Sequence, residues 1–133
     1  MACSAMTSPK VIYLVDDDDA VRDSACALLE AHGLTVRGFA SAAAMLEENR
    51  GEGADILVFD LHMPGLSGLE LLELLRKRGI LVPAIIVTGR LDAALAERIA
   101  KAGTLTTLQK PLEAEALLTW IERATAASSK CMH

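Results

Sequence analysis

Several short apolar runs in this chain end on residues that can do chemistry. Lys10 to Val15 stops at Asp16 and Asp17, Ile56 to Phe59 stops at Asp60, Pro83 to Val87 is followed by Thr88 and Gly89, and Leu105 to Gln109 by Lys110 and Pro111. Crowded carboxylates in a partly buried site repel one another, so they need a counter-charge or a proton. A hard divalent cation answers that need, and Mg2+ characteristically takes one or two carboxylates while keeping water and phosphate oxygens as its other ligands. Thr88 and Lys110 suit the remaining oxygens of a phosphoryl group, the lysine as a point charge. A carboxylate is also a nucleophile toward phosphorus, forming an aspartyl phosphate. Asp60, with the acid pair on one side and Thr88 and Lys110 on the other, is the candidate for that role. Phosphoryl transfer asks a protein mainly for positioning and charge stabilisation, which this set supplies. Asp16, Asp17 and Asp60 set against Lys110 leave two negative charges, the deficit that one Mg2+ cancels.

Taken singly, each of these residues has an ordinary explanation. Thr88 would be a common strand end and Lys110-Pro111 a common turn. Asp18 and Asp19, which complete the acidic run, read as acids favoured by the dipole at a helix start. The set gains meaning only if all its members reach one edge, and that depends on the elements that carry them.

The apolar runs have the composition of buried strands, and helical spacing follows each one. Lys10 to Val15 precedes Ala20 to His32, with Val21, Ala25, Leu28 and Leu29 on one stripe and Gly33 at its stop. Leu34 to Phe39 precedes Ala42 to Asn49, capped by Ser41. Ile56 to Phe59 precedes the segment Leu69 to Leu75, where Ser67 and Glu70 have capping-box spacing. Pro83 to Val87 precedes a helix marked by Leu95, Ile99 and Ala102. The weaker run Leu105 to Gln109 precedes Leu112 to Ala124, with Leu117, Trp120, Ile121 and Ala124 on one stripe. Five alternating pairs predict an α/β domain: a doubly wound, flavodoxin-like sheet of five parallel strands, order 2-1-3-4-5, with five helices on its two faces. Ligands of such sheets bind beyond the carboxyl ends of the strands, which is where the chemical residues fall.

Composition narrows the function classes. The chain has 133 residues with 13 Lys+Arg, 18 Asp+Glu and a formal charge of -5. Four of the acids form the run Asp16 to Asp19; without it acids and bases nearly balance, so no polyanion-binding surface is expected. The one dense basic cluster, Arg76, Lys77 and Arg78, reads as a solvated helix end. With 52% hydrophobic and 3% aromatic residues, the core must be aliphatic. No apolar run approaches the roughly 20 residues that span a bilayer. No signal peptide is visible in Met1 to Pro9, and the expected location is cytoplasmic. Cys3, Cys26 and Cys131 lack metal or disulfide spacing and read as free thiols. His32 and His133 have no partners at metal-ligand spacing. The domain is expected over residues 10–125, with tails at 1–9 and 126–133 and no output domain in this chain.

The segments Leu14-Val-Asp-Asp-Asp-Asp-Ala-Val-Arg22, Asp60-Leu-His-Met-Pro-Gly-Leu-Ser-Gly68, Ile85-Ile-Val-Thr-Gly89 and Lys110-Pro111 together resemble the receiver domain of two-component response regulators. The pattern is similar to CheY-like receivers at the N-terminus of FixJ-type transcriptional regulators, or to those attached to hybrid histidine kinases. The resemblance implies a phosphorelay signalling domain, not an enzyme, in which Asp60 accepts a phosphoryl group from a histidine kinase or phosphotransfer protein. It places Asp17, Asp60 and the backbone carbonyl of His62 on Mg2+, with Asp16 near the metal through water. Thr88 and Lys110 would contact the phosphoryl group and couple it to a surface formed by the fourth helix, fifth strand and fifth helix, through which a homodimer could form. His62 and Arg90 hold positions that in this family influence the lifetime of the phosphoryl group; an exposed loop residue is the plainer reading of either. No nucleic-acid or membrane contact is expected of this domain.

One position departs from the family pattern. Three residues before the lysine, where receivers carry Tyr or Phe, stands Thr107. The aromatic residues are Tyr13, Phe39, Phe59 and Trp120, none of them on the fifth strand. The usual aromatic read-out is therefore replaced by something else, for which a Thr pair bonding to the Thr88 loop is one expectation. Two other functions compete with the signalling role. A Mg2+-dependent aspartyl-phosphate phosphohydrolase would commonly carry an acid two residues after the nucleophile, where this chain has His62. A non-phosphorylated pseudo-receiver interaction module would not need the intact set of Asp16, Asp17, Asp60, Thr88 and Lys110.

Overall fold

The computed structural model describes residues 10–48, 53–90, 92–111 and 113–130; Cys3, Cys131 and His133 lie outside them. The chain runs β1 (Val11–Val15), α1 (Asp19–Ala31), β2 (Thr35–Phe39), α2 (Ala42–Glu48), β3 (Ile56–Asp60), α3 (Gly68–Lys77), β4 (Ala84–Thr88), α4 (Ala93–Lys101), β5 (Thr106–Gln109) and α5 (Ala114–Lys130). All strand pairs are parallel and the sheet order is β2-β1-β3-β4-β5, as the alternation predicts.

Side chains alternate across each strand, so a strand covered on both faces must be apolar at every position. That is why β3 and β4 read as unbroken apolar runs: every residue of both is buried. One face joins Val15, Leu57, Phe59 and Ile86 to Met45 of α2, Leu72 and Leu75 of α3 and Ile99 of α4. The other joins Ile12, Leu14, Val58 and Ile85 to Leu29 of α1 and Leu117 and Ile121 of α5. Each fully buried Leu or Ile contributes about 1.5–3 kcal/mol, so this two-sided aliphatic core needs few aromatics. Those present are used locally, as where the Tyr13 and Phe39 rings meet edge to face at 5.6 Å. The edge strand β2 exposes Thr35, Arg37 and Gly38, and the other edge, β5, is only half-buried.

Helix ends follow the local sequence. Asp18 caps α1 by accepting the Val21 N–H, Ser41 accepts the Ala44 N–H, and Asp92 caps α4 by accepting the Leu95 N–H. Ser67 and Glu70 close a reciprocal capping box on α3. Gly33 ends α1 with φ +85°, while the Leu34 N–H returns to the Leu29 carbonyl. The backbone of α5 stays helical to Lys130, beyond the last residue of its apolar stripe.

The basic cluster differs from its expected role. Lys77 and Arg78 are exposed, but the Arg76 guanidinium turns inward. It donates to the carbonyls of Ala102 (2.9 Å), Ile80 (2.9 Å), Val82 (2.8 Å) and Gly103 (3.2 Å). An arginine fork satisfies several orphan carbonyls at once, including those at a helix C-terminus. Arg76 therefore ties the end of α4 to α3 and to the segment that enters β4. Burial lowers its pKa.

Candidate functional site

Sheet register brings the chemical residues together. Val15 of β1 lies opposite Phe59 of β3, so Asp16 and Asp60 leave the sheet side by side. Asp60 lies opposite Val87 and Thr88 opposite Gln109, which carries Thr88 and Lys110 just past the same edge. The Lys110 N–H donates to the Thr88 carbonyl at 2.8 Å, and the Lys110-Pro111 peptide is cis.

Carboxylate oxygens of Asp16, Asp17 and Asp60 all lie within 4.8 Å of one another. Asp16 and Asp60 are buried and Asp17 is exposed, so the cluster is open to solvent on one side. Asp60 is 3% exposed, and its Oδ2 meets the Lys110 ammonium at 3.2 Å. Its Oδ1 is the one buried side-chain oxygen or nitrogen among the described residues without a hydrogen-bond partner. Burial raises the Asp60 pKa and the neighbouring Asp16 adds to the rise; the Lys110 hydrogen bond and charge oppose it, with a smaller contribution from the His62 amide. A carboxylate oxygen buried without a partner is costly. The donor set consists of hard anionic oxygens, one of them buried without a partner, so these residues fit a divalent cation of the Mg2+ type.

Thr88 is fully buried, and its hydroxyl is committed to the loop that follows β4. It donates to the Arg90 carbonyl at 2.7 Å and accepts the Arg90 N–H at 3.1 Å, a local turn of the kind hydroxyl side chains favour. The side chains of His62 and Arg90 are exposed. Thr107 is half-buried on β5 opposite Ile86, and no aromatic side chain stands on that strand.

A model of the response regulator receiver domain matches residues 12–122. The chain belongs to the response regulator receiver family. Among curated proteins, this receiver is 39% identical over 119 residues to the transcriptional regulatory protein FixJ of Azorhizobium caulinodans, covering 90% of this chain and 56% of that protein. It is 35% identical over 114 residues to the response regulator protein TodT of Pseudomonas putida, covering 86% of this chain and 50% of that protein. The chain thus spans about half the length of these curated relatives. Among solved structures, a CheY-like response regulator receiver domain protein from Methanospirillum hungatei JF-1 superposes with TM-score 0.86 at 32% identity, over 92% of this chain and 98% of that one. The FixJ-N crystal structure gives 0.79 at 35%, over 90% and 96%. The chain is accordingly a CheY-like receiver domain of the two-component type, similar to the N-terminal domain of FixJ.

Two residues of this receiver's site were not singled out by chemistry in the sequence. Gly68 opens α3, where an added Cβ would lie 2.4 Å from the Asp60 carbonyl oxygen and 3.1 Å from the Phe59 Cβ. The Gly68 N–H also donates to the Leu61 carbonyl at 3.0 Å, which sets the head of α3 directly behind Asp60. A glycine at the first turn of a capped helix was the available signal, since nothing local asks for one there. Arg22 is the second: from the first turns of α1 it reaches back to the Asp16 carbonyl.

Proposed function

We propose that this receiver accepts a phosphoryl group on Asp60 from the phosphohistidine of a histidine kinase or phosphotransfer protein, with Mg2+ held by Asp17, Asp60 and the backbone carbonyl of His62 and with Asp16 beside it through water. The observation that carries the reading is the buried, unpartnered Oδ1 of Asp60 beside a carboxyl oxygen already paired with Lys110. An Asp60 oxygen attacks phosphorus; the O–P bond forms as the N–P bond breaks, and the electron pair leaves with the imidazole nitrogen. Mg2+, when bound, supplies positive charge against the acid cluster and the transferred group. The Lys110 ammonium passes from Asp60 to a phosphoryl oxygen, and the Thr88 hydroxyl donates to another.

That donation requires Thr88 to release the Arg90 carbonyl, which frees the loop leading to Asp92 and α4. The loop, and not a swinging ring at Thr107, is then the route to the surface formed by α4, β5 and α5, where a homodimer is proposed to form. The donor is proposed to dock along a groove of about 550 Å3 between α1 and α5, lined by Val21, Ser24, Leu28, Pro111 and Leu117. The groove is mostly apolar, and its lining includes Lys110, whose ammonium pairs with Asp60. The domain is assigned to residues 10–125 and to the cytoplasm, without nucleic-acid contacts of its own. Its chemistry is limited to self-phosphorylation from a donor and slow loss of the phosphoryl group. Among the described residues no helix is long and apolar enough to cross a membrane.

The test is incubation with acetyl phosphate and Mg2+ followed by assay for a hydroxylamine-labile phosphoryl adduct. The parent chain is expected to form it and Asp60→Asn is not. A parent without the adduct, or an adduct that persists in Asp60→Asn, overturns the reading.

A further inference from the structure

We propose that Arg22 is a positioning residue for the divalent-cation site, holding the loop between β1 and α1 so that Asp16 and Asp17 present their carboxylates toward Asp60. The inference rests on reading those three acids as the cation site. Arg22 Nη1 donates to the Asp16 backbone carbonyl at 2.7 Å, and Nη2 pairs with the Asp19 carboxylate. The side chain is only 16% exposed although it carries a full charge.

Packing on β2 delivers the guanidinium to this place. The Arg22 stem crosses Gly38, where an added Cβ would lie 3.2 Å from Cγ and Cδ and 3.1 Å from the Cys26 Sγ. A side chain on that strand position would occupy the path of the stem. Arg22 thus completes a set of restraints on Asp16. The Asp16 N–H donates to the Phe39 carbonyl at 3.1 Å, its Oδ1 accepts the Asp18 N–H at 2.9 Å, and its carbonyl accepts from Arg22. With amide, carbonyl and one carboxylate oxygen fixed, the orientation of the buried acid is determined before any cation arrives. The arginine takes the backbone oxygen of Asp16 and the carboxylate of Asp19, which stands outside the cluster, so it consumes none of the cluster's carboxylate oxygens.

Charge and position act with opposite signs here, which makes the role testable. A cation near the acid cluster repels a second cation, so deleting the Arg22 charge alone would tighten metal binding. Deleting a group that orients a ligand typically weakens metal affinity by about 10–100-fold. Mg2+ affinity is to be measured by calorimetric titration of the full chain, with urea midpoints in chelator recorded separately. Arg22→Met is expected to bind Mg2+ about tenfold more weakly, at the lower end of that range because the lost repulsion offsets part of the effect. Arg22→Lys, which keeps the charge and one donor, is expected to recover part of the affinity. Gly38→Ala leaves the Arg22 charge in place and crowds its stem, and is expected to weaken Mg2+ in the same direction. Parent-like or tighter binding in folded Arg22→Met, or in Gly38→Ala should Arg22→Met fail to fold, overturns the positioning role. A parent chain that binds no Mg2+ overturns the cation reading, and the role of Arg22 with it.

Discussion

Replacing Gly68 by Ala sets two physical effects against each other, and the structure says which one wins. By helix propensity alone, Ala at this position should stabilise α3 by about 1 kcal/mol. Against this, the new Cβ would sit 2.4 Å from the Asp60 carbonyl oxygen, a backbone atom that cannot swing aside. An ordinary carbon-oxygen contact is about 3.3 Å or longer, so α3 and the end of β3 must part by close to 1 Å. Extra methyl groups in packed interiors cost about 1–3 kcal/mol, and a backbone clash at this distance belongs near about 3 kcal/mol. The expected net loss is therefore about 2 kcal/mol, which for a chain of this size lowers Tm by about 7 °C. Because the displaced group is Asp60 itself, the rate of adduct formation from acetyl phosphate should fall as well. A 1 Å misplacement of a reacting group can cost about 100-fold. Urea denaturation in chelator reads the first effect, and the initial rate of hydroxylamine-labile labelling reads the second. A variant at least as stable as the parent, labelled at the parental rate, would refute the reasoning, because propensity would then have outweighed the contact.

Asp60→Asn should stabilise the metal-free domain at neutral pH. The folded pKa of Asp60 is raised by burial and by Asp16, so over the window from the ordinary carboxylate pKa of about 4 up to that raised value the native state binds more protons than the unfolded chain. Parental stability must fall as pH rises through this window, so the advantage of Asn, read from urea midpoints in chelator, should shrink toward zero as pH drops below it; an advantage that is constant with pH contradicts the account. Arg76→Met should cost about 2–4 kcal/mol, since it strips four carbonyls of a charged donor, and faster amide exchange around Ala102 and Gly103 is the local sign to seek. If the exposed Arg90 side chain shields the phosphoryl group from water, Arg90→Ala should shorten the lifetime of the aspartyl phosphate several-fold; an unchanged decay rate removes Arg90 from that role.

Much of the architecture was legible because burial on both sheet faces leaves a local mark. The unbroken apolar runs of β3 and β4, the stop at Gly33, the helix-start acids Asp18 and Asp19, and the cap residues Ser41 and Ser67 each report on their own neighbourhood. The acids, Thr88 and Lys110 could be assigned to one edge because in a parallel sheet every strand ends on the same side. What sequence spacing misread was the direction of side chains that bridge elements. Arg76 stands in a basic run and looks solvated, yet its partners lie up to 27 residues away, at Gly103. Arg22 and Gly38 look unrelated until α1 packs on β2 and the arginine stem crosses the glycine.

By itself, then, the sequence determined the strand and helix alternation, the family, and which residue types meet at the carboxyl edge, since periodicity, capping and strand polarity are properties of short stretches of chain. Only the tertiary structure decided which oxygen is left without a partner, that the Thr88 hydroxyl is turned toward Arg90, and that a glycine at the head of α3 is what allows Asp60 its place. Those are outcomes of close packing between segments distant in sequence, where differences of about 1 Å settle which atoms touch.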